Sequence, residues 1–135
     1  MANLPSEDVG IMLEAESGFS LTYATNLFIN KQPGGLPRTE PIALIYDSSG
    51  FSPEATGKIF EKPTIMVRVI GPDGDYTGAR DLVMNIKAAL HLRTPDTVGG
   101  SRYMGIWQTG EIAFVGYEDD NKPVFTVNFR IHRTN

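Results

Sequence analysis

Val124-Phe125-Thr126-Val127-Asn128-Phe129-Arg130-Ile131-His132 alternates apolar and polar at every step from Phe125 onward. Successive strand side chains take opposite faces, so Phe125, Val127, Phe129 and Ile131 point one way and Thr126, Asn128, Arg130 and His132 the other. A period of two this regular implies a sheet with one buried and one polar face. Thr64-Ile65-Met66-Val67-Arg68-Val69-Ile70 has the same form, with Ile65, Val67 and Val69 sharing a face, and Gly71-Pro72-Asp73-Gly74 ends it in a turn. Further β runs are expected at residues 27–29, 42–46, 102–108 and 112–115. The separators are Lys31-Gln32-Pro33-Gly34-Gly35, Thr109-Gly110 and Glu118-Asp119-Asp120-Asn121-Lys122.

Two helices complete the pattern. Asp75 is placed to cap a helix from Tyr76 to about Leu92, with Tyr76, Ala79, Leu82, Val83, Ile86, Ala89 and Leu90 on its apolar face; Thr94-Pro95 stops it. Near the start of the chain, Ser6 reads as an N-cap, Glu7 and Asp8 favour the positive end of the helix dipole, and Gly18 can close the segment. Val9, Met12, Leu13 and Glu16 fall at helical spacing, giving a narrow apolar stripe that Gly10 weakens. The expected order is α-β-β-β-α-β-β-β: an α+β fold, one domain over 1–135, with two helices packed on a mainly antiparallel sheet.

Composition narrows the chemistry. The 135 residues include no cysteine, which removes disulfide scaffolds, thiolate metal sites and cysteine nucleophiles. Twelve bases against sixteen acids leave a net charge of −4, against the basic sheath that nonspecific DNA binding needs. Only the C-terminal run with Lys122, Arg130 and Arg133 comes near a basic stripe. No apolar run approaches the 18–20 residues or so of a membrane span, and the first residues lack the form of a signal peptide. Membrane association is therefore not expected, and the chain reads as one made in a cytosol.

Catalytic and metal motifs are weak. His91 and His132 lie on different elements without ligand-spaced partners, and His91 suits a helix C-terminus, where a cation is favoured. Asp73-Gly74-Asp75 resembles the opening of a calcium loop but lacks the closing glutamate, and residues 118–121 suit a solvated turn. Nucleotide-binding and nucleophile-elbow motifs are missing. No catalytic residue, metal site or cofactor is expected. Tyr103 and Trp107, with Gly105 between them, read as one face of a strand; packing accounts for them better than base stacking, which normally comes with a basic groove.

Three stretches resemble a known family. They are Tyr46-Asp47 leading through a Gly/Pro-containing loop to Pro63-Thr64-Ile65-Met66-Val67-Arg68-Val69; the helix near Tyr76 with Ala79 and Ile86-Lys87-Ala88-Ala89-Leu90; and Arg102-Tyr103 through to Pro123-Val124-Phe125-Thr126-Val127-Asn128-Phe129-Arg130. Together they span about residues 40–133, and with the element order they are similar to the tail terminator (tail completion, or minor capsid) proteins of long-tailed bacteriophages. The 31–41 segment matches nothing in that pattern. The resemblance implies a virion structural protein, not an enzyme. It implies a hexameric ring that caps the tail tube, ends its polymerisation and offers a joining surface to the head–neck complex. Its place is the tail–neck junction of a virion assembled in the host cytoplasm. Its partners are further copies of itself, the tail tube protein and a head–tail connector or neck protein, and DNA passes through without specific binding. Six copies would carry a charge of about −24, which suits a conduit that does not grip phosphate.

Two groups of interface residues are expected. Residues 47–62 form a long stretch rich in Ser, Gly and Pro that embeds Phe51, Ile59 and Phe60; such a segment either docks on a neighbouring subunit or the tube, or packs over its own core. Asn128, Arg130 and His132 form the polar face of the last strand, which lines a subunit seam or the channel, or simply faces solvent. The alternatives in function are another head–tail connector component, or a small-ligand-binding α+β module with a concave polar pocket.

Overall fold

The computed structural model describes residues 4–16, 21–23, 25–31, 40–48, 60–61, 63–118 and 121–134, with the backbone alone at 60–61. Its elements are α1 (Pro5–Ala15), β1 (Leu27–Ile29), β2 (Ile42–Ser48), β3 (Phe60–Glu61), β4 (Thr64–Ile70), α2 (Tyr76–Leu90), β5 (Asp96–Val98), β6 (Ser101–Gln108), β7 (Ala113–Glu118) and β8 (Lys122–Thr134). The α+β class and the expected order hold, with two short strands, β3 and β5, added to it.

β8 organises the sheet. Along one side it pairs antiparallel with β4, and beyond that with β3; along the other it pairs with β6 and then β7. The sheet continues through β4 to β2 and from β2 to β1, the latter pair parallel, while β5 lies outside β6. Phe125, Val127, Phe129 and Ile131 are all buried, and Ile65, Val67 and Val69 face them from β4, as the alternation requires. α1 and α2 cover this face with Val9, Met12, Leu13, Ala79, Val83, Ile86 and Leu90. β2 differs: Ile42, Ala43, Leu44 and Ile45 are all fully buried, so both faces of the sheet are covered there. A second apolar cluster of Phe28, Ile42, Leu44, Ile70 and Val124 occupies the face away from the helices.

The two helix starts are built differently. Asp75 caps α2 as expected, its Oδ1 accepting the Gly78 N–H at 2.9 Å. α2 ends at Leu90, earlier than the expected end near Leu92: the backbone turns extended at His91 (φ −66°, ψ 123°) and left-handed at Leu92 (φ 59°). In α1 the N-cap is Leu4 rather than Ser6, and Glu7 accepts the Leu4 N–H at 2.8 Å. Ser6 lies inside the first turn and is buried; its N–H and hydroxyl both donate to Asp47 on β2, at 3.0 and 2.6 Å. A strand carboxylate thus supplies the acceptor that the helix start lacks. Gly18, the expected terminator of α1, lies outside the described residues.

Candidate assembly surfaces

The residues singled out from the sequence fall in three places. Phe51 and Ile59 lie outside the described residues, and Phe60 begins β3, paired with Thr134 of β8. Asn128, Arg130 and His132 project from β8 on the face away from the helices: Asn128 is exposed, Arg130 and His132 half-buried. Trp107 lies beside them. Its ring meets the His132 imidazole edge-on, with centroids 4.8 Å apart, and the two join Thr109 and Arg130 around a shallow depression.

A bulge puts Trp107 there. Tyr103 pairs with Arg133 and Gly105 with His132, so Met104 is an extra residue opposite one position of β8. The expectation that Tyr103 and Trp107 share a face fails for this reason. Tyr103 turns into the core, 2% exposed, while Trp107 is 36% exposed on the opposite side. Gly105 lies under the indole, where a Cβ would come within 2.7 Å of Trp107 Cη2. The sequence offered no sign of the bulge.

The remaining polar groups are engaged structurally. Asp73 pairs with the buried Lys122 at 3.1 Å, and Glu118 with Arg68 at 2.9 Å, so part of the acidic turn expected at 118–122 is strand held by ion pairs. His91 stands at the C-cap of α2, where its Nδ1 accepts the Gln108 N–H at 2.9 Å. That nitrogen works as an acceptor. Among the described residues, no group of three or more His, Cys, Asp or Glu side chains is placed to hold a metal ion, and no helix is long and apolar enough to cross a membrane.

Two apolar surfaces went unnoticed in the sequence. The first is aromatic: Phe114 and Tyr117 of β7, with Tyr76 at the start of α2, stack edge-on at 5.2–5.3 Å, and Val115 beside them is 59% exposed. Tyr76 also meets the buried Phe125 edge-on at 5.1 Å, so it stands at the exposed end of the α2 apolar face. The second is a groove between α1 and β1, lined by Leu4, Ile11, Tyr23 and Ile29 with Glu7 and Glu14 among them. Leu4, Ile11 and Tyr23 are each about half exposed.

A two-helix cover on a sheet centred on its last strand, with apolar surface at the margins, suits a protein that docks. Comparison agrees. The family model described as "Bacteriophage tail terminator protein" matches residues 18–135. The chain belongs to the bacteriophage tail terminator family. That family consists of structural proteins of the virion. The chain is also similar in fold to a chain from the "Virion of native gene transfer agent (GTA) particle" structure, at 16% identity and TM-score 0.69, covering 97% of this chain and 95% of that one. A second solved structure aligns at 14% identity and TM-score 0.57, covering 96% and 90% of the two chains. No curated protein matches.

Proposed function

We propose that this tail terminator acts over residues 1–135 as one domain that assembles into a ring, a hexamer, on the end of the tail tube. There it stops tube polymerisation and presents the surface to which the head–neck complex joins. Its work is mechanical rather than catalytic, and DNA passes through the ring without specific contacts. It sits at the tail–neck junction of a particle assembled in the host cytoplasm. The observation that carries this reading is the family match over residues 18–135. The sheet supports it: edges such as β1 and β7 template pairing with another chain, and a head-to-tail contact closes into a ring when its rotation divides the circle.

Asn128, Arg130 and His132 line the seam between copies or the channel wall. The segment with Phe51, Ile59 and Phe60 contacts a neighbouring copy or the tube. Adding the protein to polymerising tube protein is expected to halt elongation and leave a ring at the tube end, visible by negative-stain microscopy. Binding to a portal-side connector protein without any effect on tube length would overturn the terminator role in favour of another neck component. Phe51→Asp with Phe60→Asp is expected to lower ring mass in light scattering while leaving the circular dichroism unchanged; an unchanged mass would remove this segment from the interface.

A further inference from the structure

One transverse row of residues crosses the sheet from margin to margin. Leu27 on β1 pairs with Ala43, Ala43 with Val69, Val69 with Phe125, and Phe125 with Phe114 on β7. β1 and β7 are thus opposite edges of one five-strand section; among the described residues β7 pairs only with β8, and beyond β2 the first residue of β1 makes a single bridge, Leu27 to Tyr23. The two exposed apolar surfaces sit on these same edges. At β7 the surface is largely aromatic, with Phe114, Val115 and Tyr117 exposed by 43–59%. At β1 it is concave, the groove beside α1.

One opposite-charge pair is available as well. The groove carries the carboxylates of Glu7 and Glu14, one oxygen of each accepting a backbone N–H, from Leu4 and Tyr23 respectively. One turn along α2 from Tyr76, on the same side of the helix, stands the exposed Arg80, which makes no ion pair among the described residues. An exposed apolar edge and an apolar groove at opposite ends of one row can meet only between copies.

We propose that copies of this chain join head to tail, the β7 edge of one seated in the α1–β1 groove of the next, with Phe114, Val115 and Tyr117 against Ile11 and Tyr23 and Arg80 facing Glu14. This rests on the ring reading and specifies which surfaces make the ring. The contact is heterologous, so each copy uses both surfaces and no two copies meet through the same one.

The absence of cysteine makes the test clean. Under mild oxidation, the double variant Ile11→Cys with Val115→Cys is expected to give a ladder of covalent oligomers that stops at the closed ring. A mixture of the two single variants is expected to give one covalent dimer, and neither single variant alone is expected to cross-link. Arg80→Glu is expected to weaken assembly at least tenfold in a dilution series, and Glu14→Arg added to it to restore most of the loss. Rings in native mass spectrometry without the Ile11–Val115 cross-link would overturn this edge pairing and leave the ring standing. Dimers from Val115→Cys alone would overturn it in favour of a symmetric contact. A protein monomeric at every concentration, with and without tube protein, and free of cross-links would overturn both.

Discussion

Tyr103 on β6 donates its phenolic hydrogen to Asp8 on α1, 95 residues away in the chain. Arg133 completes the group: its Nη1 lies 3.1 Å from the Tyr103 hydroxyl and 3.5 Å from Asp8 Oδ2. All three are at most 5% exposed, so a buried charge pair is bridged by a phenol and ties the first helix to the end of the last strand. Truncating one member leaves the others desolvated and short of a partner, which is the costly outcome for buried polar groups.

Tyr103→Phe is therefore expected to cost about 1–3 kcal/mol at neutral pH. It also changes the pH dependence. Burial, and next the hydrogen bond to Asp8, hold the Tyr103 phenol protonated well above the ordinary tyrosine range. The unfolded chain loses that proton near pH 10, and the folded chain keeps it; above pH 10 the unfolded state binds fewer protons, so stability falls as pH rises. The contribution is complete below about pH 10 and is lost on the alkaline side, at roughly 1.4 kcal/mol per pH unit. Urea melts between pH 9 and 11.5 are expected to show a shallower alkaline decline in Tyr103→Phe than in the parent; parallel declines would refute the assignment.

Asp47 fastens the start of α1 from outside the helix. Besides Ser6, its Oδ2 accepts from Asn30 Nδ2 at 2.9 Å, while its own N–H donates to Asn30 Oδ1 at 2.9 Å. Asn30 holds this position with a left-handed backbone (φ 56°), which asparagine tolerates better than most side chains. Asp47→Ala is expected to cost about 1–3 kcal/mol and to speed amide exchange in the first turn of α1 more than in α2. Equal acceleration in both helices would mean that Asp47 stabilises the molecule generally instead of holding α1.

Two glycines separate rigid from yielding packing. A Cβ on Gly71 would come within 2.8 Å of Ala79 Cβ and 3.0 Å of both the Asp75 carbonyl oxygen and Pro123, none of which has a flexible end to move. Gly71→Ala is expected to cost about 1–3 kcal/mol by overpacking. At Gly105 the three nearest atoms all belong to the Trp107 indole, which stands on the surface side and can swing away. Gly105→Ala is expected to shift tryptophan emission strongly and melting temperature little, the reverse of Gly71→Ala. Similar stability losses for both would show that the indole is fixed.

The strands were legible because alternation reports burial directly: residues 64–70 and the core face of residues 125–131 need only side-chain period and one covered face. α2 was legible for the same reason, with Asp75 announcing its start. The misses share a cause. Ser6 reads as a cap by residue type, but a carboxylate on β2 decides what it bonds, and that neighbour is 41 residues away. The bulge at Met104 leaves no mark in a sequence whose period it interrupts once, yet it sends Tyr103 inward and keeps Trp107 outside. The candidate surfaces were missed because exposure is a property of the assembled sheet. Phe114, Val115 and Tyr117 look like any strand, and only the position of β7 at an edge leaves them uncovered.

The lone tryptophan reports on where the polar face of β8 goes. Trp107 touches His132 and shares its face with Asn128 and Arg130, so whatever covers these residues also covers the indole. If the sheet continues edge to edge through β1 and β7, a neighbouring copy adds to the margins and leaves this face open, as a wall of the channel. Ring formation is then expected to leave the emission maximum and acrylamide quenching of Trp107 nearly unchanged, with Trp107→Phe confirming that the signal is its own. The alternative, in which Asn128, Arg130 and His132 lie in the seam, requires the half-exposed indole to lose contact with water on assembly. A blue shift with loss of quenching, in step with the rise in mass, would place this face between subunits and remove the edge-to-edge arrangement with it.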